Sequence, residues 1–124
     1  MSVYDHTLHV EGVDLTAQGN TLLGTTPSNT LFYPLDVQFI CTSGSGLEDV
    51  VVNLGTNSPD YDNIIRRLTL TGVDEGGKLY YVPEVSAVVD AIPVSTDVYV
   101  RVALQSEVGT GDLQVILTGS SIPV

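Results

Sequence analysis

Turn formers break this sequence at short intervals. Gly19-Asn20, Pro27-Ser28-Asn29, Ser43-Gly44-Ser45-Gly46, Asn57-Ser58-Pro59-Asp60, Gly76-Gly77 and Gly109-Thr110-Gly111-Asp112 each combine residues that tolerate positive φ, preset φ, or bond their own backbone. The runs between them are rich in Val, Ile, Leu, Thr and Tyr and show no sustained 3.6-residue period. That spacing predicts an all-β sandwich or barrel and excludes a helical bundle.

The clearest expected strands are 35–41, 49–54, 79–82, 97–104 and 113–118. Leu35, Val37, Phe39 and Cys41 alternate with Asp36 and Gln38, and Val98, Val100, Val102 and Leu104 alternate with Asp97, Tyr99, Arg101 and Ala103. Each alternation predicts four side chains on a buried face. Weaker strands are expected over 4–10, 13–17, 85–89 and a C-terminal tail ending at Val124. Eight or nine short strands in 124 residues fit an antiparallel β-sandwich of jelly-roll type, two four-stranded sheets packed face to face. An immunoglobulin-like sandwich accommodates the same count, and only the connections separate the two. One short helix is expected near residues 61–68, capped by Asp60 or Asp62, with Arg66 and Arg67 at the negative end of its dipole. Pro34, Pro83 and Pro93 are expected to mark strand boundaries, since proline cannot donate to a ladder. Gly44-Ser45-Gly46 reads as a hairpin turn. The expected organisation is an extended N-terminal arm over residues 1–12 and one sandwich domain over 13–124.

Charge narrows the partners. Fifteen acidic residues stand against four basic ones, a net charge of -11, within a composition that is 43% hydrophobic. Such a chain folds rather than remaining a disordered acidic tail. Nucleic acid is a poor partner, because affinity for a phosphate backbone comes mainly from Lys and Arg. The asymmetry is sharper than the total: residues 1–62 carry eight acids and no Lys or Arg, whereas 63–124 carry seven acids and all four bases. The first half therefore repels anionic lipid and suits a basic partner or solvent. No basic-then-apolar leader opens the sequence and no apolar run is long enough to cross a bilayer, so the expected partners include neither membrane nor nucleic acid. The expectation is a soluble protein kept inside the cell or assembled there into something larger.

No constellation predicts catalysis, a metal or a cofactor. His6 and His9 are three apart, a spacing that brings side chains together on a helix but turns them to opposite faces of a strand. Asp60, Asp62 and Asn63 have the composition of a calcium loop without its remaining positions, and a turn followed by a capped helix, which accounts for them without an ion, is the favoured reading. Cys41 closes an alternating strand and reads as a small buried hydrophobe. Cupin-like enzymes on this scaffold would need a His and carboxylate cluster. Tyr80 and Tyr81 must face opposite sides of their strand, leaving one ring exposed as a contact residue.

Three stretches carry a resemblance. Val51-Val52-Asn53-Leu54-Gly55-Thr56-Asn57 with Tyr61-Asp62-Asn63-Ile64, then Ile92-Pro93-Val94-Ser95-Thr96-Asp97-Val98-Tyr99-Val100-Arg101-Val102, and Leu113-Gln114-Val115-Ile116-Leu117-Thr118-Gly119 together resemble small structural proteins of tailed bacteriophages. The resemblance spans residues 35–120. It implies a decoration or cement protein of a phage head, made in the host cytoplasm and seated as a homotrimer on the outside of the major capsid protein lattice. It implies no enzymatic activity and no cofactor. The N-terminal segment Val3 to Leu8, including Tyr4 and His6, is then expected to reach a neighbouring subunit by strand addition, with Tyr80 and Tyr81 as further contacts. The alternative reading is a receptor- or carbohydrate-binding sandwich module of a phage fibre or tail.

Overall fold

The computed structural model describes residues 4–71, 79–82 and 91–124. Eight strands occur among them: β1 (Tyr4–Asp14), β2 (Gly19–Thr25), β3 (Thr30–Ser45), β4 (Val50–Gly55), β5 (Ile65–Leu70), β6 (Leu79–Val82), β7 (Asp97–Leu104) and β8 (Thr110–Pro123). They form two four-stranded sheets, β1-β8-β3-β6 and β2-β7-β4-β5, in which every pairing is antiparallel. The pairs nest: β1 with β8, β2 with β7, β3 with β6, β4 with β5. A long antiparallel ribbon rolled up on itself gives this order, which is the jelly roll and not the immunoglobulin arrangement.

The core lies between the sheets. Val37, Phe39, Cys41, Leu113, Val115 and Leu117 of one sheet meet Val50, Val52, Leu54, Val98, Val100 and Val102 of the other, all of them buried. Burial of apolar surface at roughly 25 cal/mol per Å² makes this interface the main source of stability. Phe32 extends it toward one end, where Gly119 gives the ring room: a Cβ there would sit 2.8 Å from Phe32 Cε1.

Two expected core residues lie outside. Leu35 is 36% exposed because the β3–β8 register shifts between Pro34 and Asp36. That bulge inserts one extra residue and keeps Phe32 in phase with Val37 and Phe39. Pro34 therefore sits inside β3, where the bulge tolerates its missing donor, rather than at a strand boundary. Leu104 is 51% exposed, beyond a second shift where Val51 pairs with Leu104 and Val52 with Val102.

The helix expected near 61–68 is not formed, and no helix occurs among the described residues. Tyr61 and Arg67 have left-handed φ values of 48° and 53°, which a right-handed helix excludes. Ile64 N–H donates to Leu54 O at 2.9 Å, and Leu54 pairs with Ile65, so the segment enters the sheet. Ladder pairing buries Ile65 and Leu70 on the core side, which one turn of isolated helix would not achieve. Several boundaries also move. Gly44 and Ser45 are not a hairpin turn: they belong to β3, opposite Gly111 and Thr110, and the chain then crosses to the other sheet. The expected strand over 13–17 is divided, with Val13 and Asp14 in β1 and a turn after them. That turn is closed by Asp14 Oδ1, which accepts Thr16 N–H at 2.9 Å and Thr16 Oγ1–H at 2.7 Å. The expected strand at 85–89 and Pro83 lie outside the described residues.

Candidate contact surface

β1 is an edge strand. It pairs with β8 along one side, from Tyr4↔Ser121 to Asp14↔Asp112, and among the described residues no strand lies on its other side. The expected boundary between arm and domain, at residues 12 and 13, thus falls inside a single strand. A register shift between Val10 and Val13, with Gly12 at φ 73°, bends that edge. An exposed edge leaves unpaired N–H and C=O groups, which is the physical requirement for strand addition by another chain.

The expected contact residues of this segment separate by face. Leu8 is 6% exposed and part of the core, packed so closely on β2 that a Cβ at Gly24 would lie 2.9 Å from Leu8 Cδ2. Its contacts are made within its own chain, which corrects its expected place on the surface. His6 is half-buried on the same side, its ring edge-on to Phe32 at 5.8 Å and 80°. His9 faces outward, and its Nε2 meets Gln114 Nε2 at 2.9 Å and Glu11 Oε1 at 3.4 Å. The two histidines therefore do not share a site within one chain. Val3 and the side chain of Tyr4 lie outside the described residues.

On the opposite edge of the same sheet, β6 pairs with β3 so that Tyr80 faces Phe39 and Leu79 faces Ile40. Tyr80 is half-buried against the core. The side chain of Tyr81 lies outside the described residues. Leu79, 53% exposed, is a large apolar group that this strand presents outward.

The Asp60-Asp62-Asn63 segment is a self-contained turn. Asn57 Oδ1 accepts the N–H groups of Asp62 and Asn63 at 2.9 and 3.1 Å, and Asn57 Nδ2 donates to Asp62 Oδ1 at 2.8 Å. Asn63 Oδ1 accepts Thr56 N–H at 2.8 Å, and its Nδ2 donates to Thr56 Oγ1 at 2.9 Å. The Asp62 Oδ1 and Asn63 Oδ1 that suggested calcium are thus used inside the turn. Among the described residues, no group of three or more His, Cys, Asp or Glu is placed to hold a metal ion. Cys41 is fully buried, and its thiol donates to Ser43 O at 3.4 Å.

Comparison with solved structures finds the same two-sheet fold in other chains. One chain from the capsid of Ralstonia phage GP4 superposes with a TM-score of 0.59 at 14% identity, covering 95% of this chain and 83% of that one. One chain from the capsid asymmetric unit of cyanophage Pam1 superposes with a TM-score of 0.61 at 16% identity, covering 98% and 85%. The likeness establishes a shared fold over nearly the whole chain. No family model matches the sequence, and no curated protein matches it.

Proposed function

We propose that this chain is a structural protein of a tailed-phage head, and that it acts as a decoration or cement protein on the outside of the major capsid protein lattice. The observation that carries this reading is the likeness of the entire chain, and not of a fragment, to chains of two phage capsids. No chemistry is needed for the role. A protein that binds the mature lattice more tightly than the immature one stabilises the mature form by mass action. The net charge of -11 favours solubility at high copy number and distance from packaged DNA. In this reading the chain is a homotrimer in the virion, with the open edge of β1 beside Val3, Tyr4 and His6, and the β6 edge at Tyr80 and Tyr81, as contacts to neighbouring subunits.

The test is reconstitution on heads purified without this chain. Saturable binding that raises the temperature at which heads release DNA is the expected result; no binding to expanded heads would refute the cement role. Deleting residues 2–10 would strip β8 of a partner strand, so the edge is probed by Thr7→Lys with His9→Lys, two outward charges of the kind that block strand addition. These substitutions should leave the melting temperature unchanged and abolish head binding. Unchanged head binding would remove β1 from the contact.

A further inference from the structure

The described arginines meet at one place. Arg66 and Arg67 of β5 and Arg101 of β7 line an open cavity of about 250 Å³ together with Asn53, Asp60 and Asp62, on the face of the sheet turned away from the core. Two irregularities create it. Val52 pairs with Leu68 and Leu54 with Ile65, so Arg66 and Arg67 together oppose the single residue Asn53. Across β4, the register shift against β7 inserts Ala103, which lines the cavity with only a methyl group. Bulges of this kind re-aim side chains.

One buried amide holds both walls. Asn53 is 5% exposed; its Oδ1 accepts Arg67 N–H at 2.7 Å, and its Nδ2 donates to Asp60 O at 3.2 Å. The first bond fixes Arg67 at its φ of 53°, a conformation bulky residues rarely adopt and one that recurs where surroundings impose it for function. The second ties the 56–64 turn over the same strand.

The lining has three guanidinium groups against two carboxylates. Asp62 is already engaged, Oδ1 with Asn57 Nδ2 at 2.8 Å and Oδ2 with Arg66 Nε at 3.8 Å. Arg101 Nη1 donates to Asn20 Oδ1 at 3.0 Å, and the rest of its fork has no partner among the described residues. The Arg67 guanidinium has no hydrogen bond or ion pair among the described residues. Such forks match a carboxylate bidentately.

We infer that this cleft is a contact site for a second copy of this chain, which it engages through an acidic side chain. The chain is rich in the complementary charge: residues 1–62 are -8. Glu48 and Asp49, just before β4, form an ordered acidic tip with Glu107. Glu48 N–H donates to Ser106 Oγ at 2.9 Å, and Glu107 N–H donates to Glu48 Oε1 at 3.2 Å. Asp49 directly precedes β4 and the cleft is built around Asn53 within it, so the two features are separate places on one sheet. The tip of one copy meets the cleft of the next, head to tail. A heterologous contact of this type closes into a ring or extends across a lattice. It requires only two copies of this chain and does not rest on the capsid reading.

The experiment is sedimentation of the purified chain at about 0.01 M and about 1 M ionic strength, where screening lengths differ about tenfold. Concentration-dependent association at low salt, lost at high salt, is expected. Arg66→Glu with Arg101→Glu should weaken it at least about tenfold, as should Asp49→Lys with Glu107→Lys, and an equimolar mixture of the two variants should restore it. Melting curves check that both variants fold; if the arginine variant does not, the tip variant and Arg101→Gln carry the test. A wild-type chain that stays monomeric at both salts overturns the inference, as does association that neither variant weakens. Monomeric protein whose arginine side-chain resonances shift with inorganic phosphate would make the cleft a small-anion site and the copy contact wrong.

Discussion

Asn53 and Arg67 are joined across a bulge by a 2.7 Å hydrogen bond from a main-chain N–H to a buried side-chain oxygen. The amide does what a ladder partner would do in a regular sheet, because the bulged residue has no carbonyl opposite it. Asn53→Ala leaves that N–H and the Asp60 carbonyl without their bonds, and an unsatisfied buried group costs about 1–3 kcal/mol. Urea unfolding should show a loss of that size. A change below about 0.5 kcal/mol would mean that water replaces the amide.

Gly119 and Gly24 should respond differently to the same added methyl. A Cβ at Gly119 meets the Tyr33 carbonyl and the Phe32 ring, whereas at Gly24 it meets the tip of Leu8. Backbone and a fully buried ring cannot yield as a leucine rotamer can. Gly119→Ala should destabilise by about 1–3 kcal/mol, with Gly24→Ala clearly milder. Thermal melts of the two variants give the comparison, and equal losses would contradict it.

Acid should act on Asp14 only at low pH. The hydroxyl of Thr16, and after it the Thr16 N–H, holds the Asp14 carboxyl below its ordinary value, with burial opposing slightly. A folded pKa below the unfolded one means that protonation favours unfolding. This contribution is therefore complete above the unfolded pKa, near 3.9, and is lost as pH falls through the folded value. A carbon-detected carboxyl titration should place Asp14 below ordinary aspartate, and Thr16→Val should raise it. A midpoint at or above the ordinary value would refute the assignment. The group is exposed, so the effect on overall stability is small.

Phe39 and Leu35 test the phase of β3. Phe39 is fully buried and Leu35 lies on the bulge, partly in solvent. Phe39→Ala should cost about 3–5 kcal/mol, and Leu35→Ala about 0.5 kcal/mol or less. Denaturant midpoints measure both. A large loss at Leu35 would place it in the core after all.

The strands whose limits were legible in the sequence are those with turn formers or a proline at their ends. Asp97 to Leu104 and Leu79 to Val82 are found at their expected limits, because each has turn formers or a proline beside it. Period alone could not place a bulge: Leu35 continues the pattern of Val37 and Phe39, yet the extra residue turns it outward. β2 was missed because Gly19, Asn20, Thr21 and Gly24 dilute its apolar signal. The helix expected at 61–68 failed for a different reason. Asp60, Asp62 and the two arginines suit a capped helix locally, and long-range pairing with Val52 and Leu54 overrode that preference. The contact surface was only partly legible. Edge position follows from strand order, which no local pattern encodes, and the gathering of Arg66, Arg67 and Arg101 depends on two bulges on either side of β4.

The nested order of pairs also orders events in time. Asp14 finds its partner in Asp112, which leaves the ribosome about a hundred residues later, roughly 5–20 s at ordinary rates of synthesis. During that interval β1 has nothing of its own to pair with, while β4 and β5, neighbours in sequence, can close at once. Closing that hairpin costs less loop entropy than bringing β1 to β8, which favours local pairing first. A nascent chain waits with its longest edge unguarded until its last strand arrives.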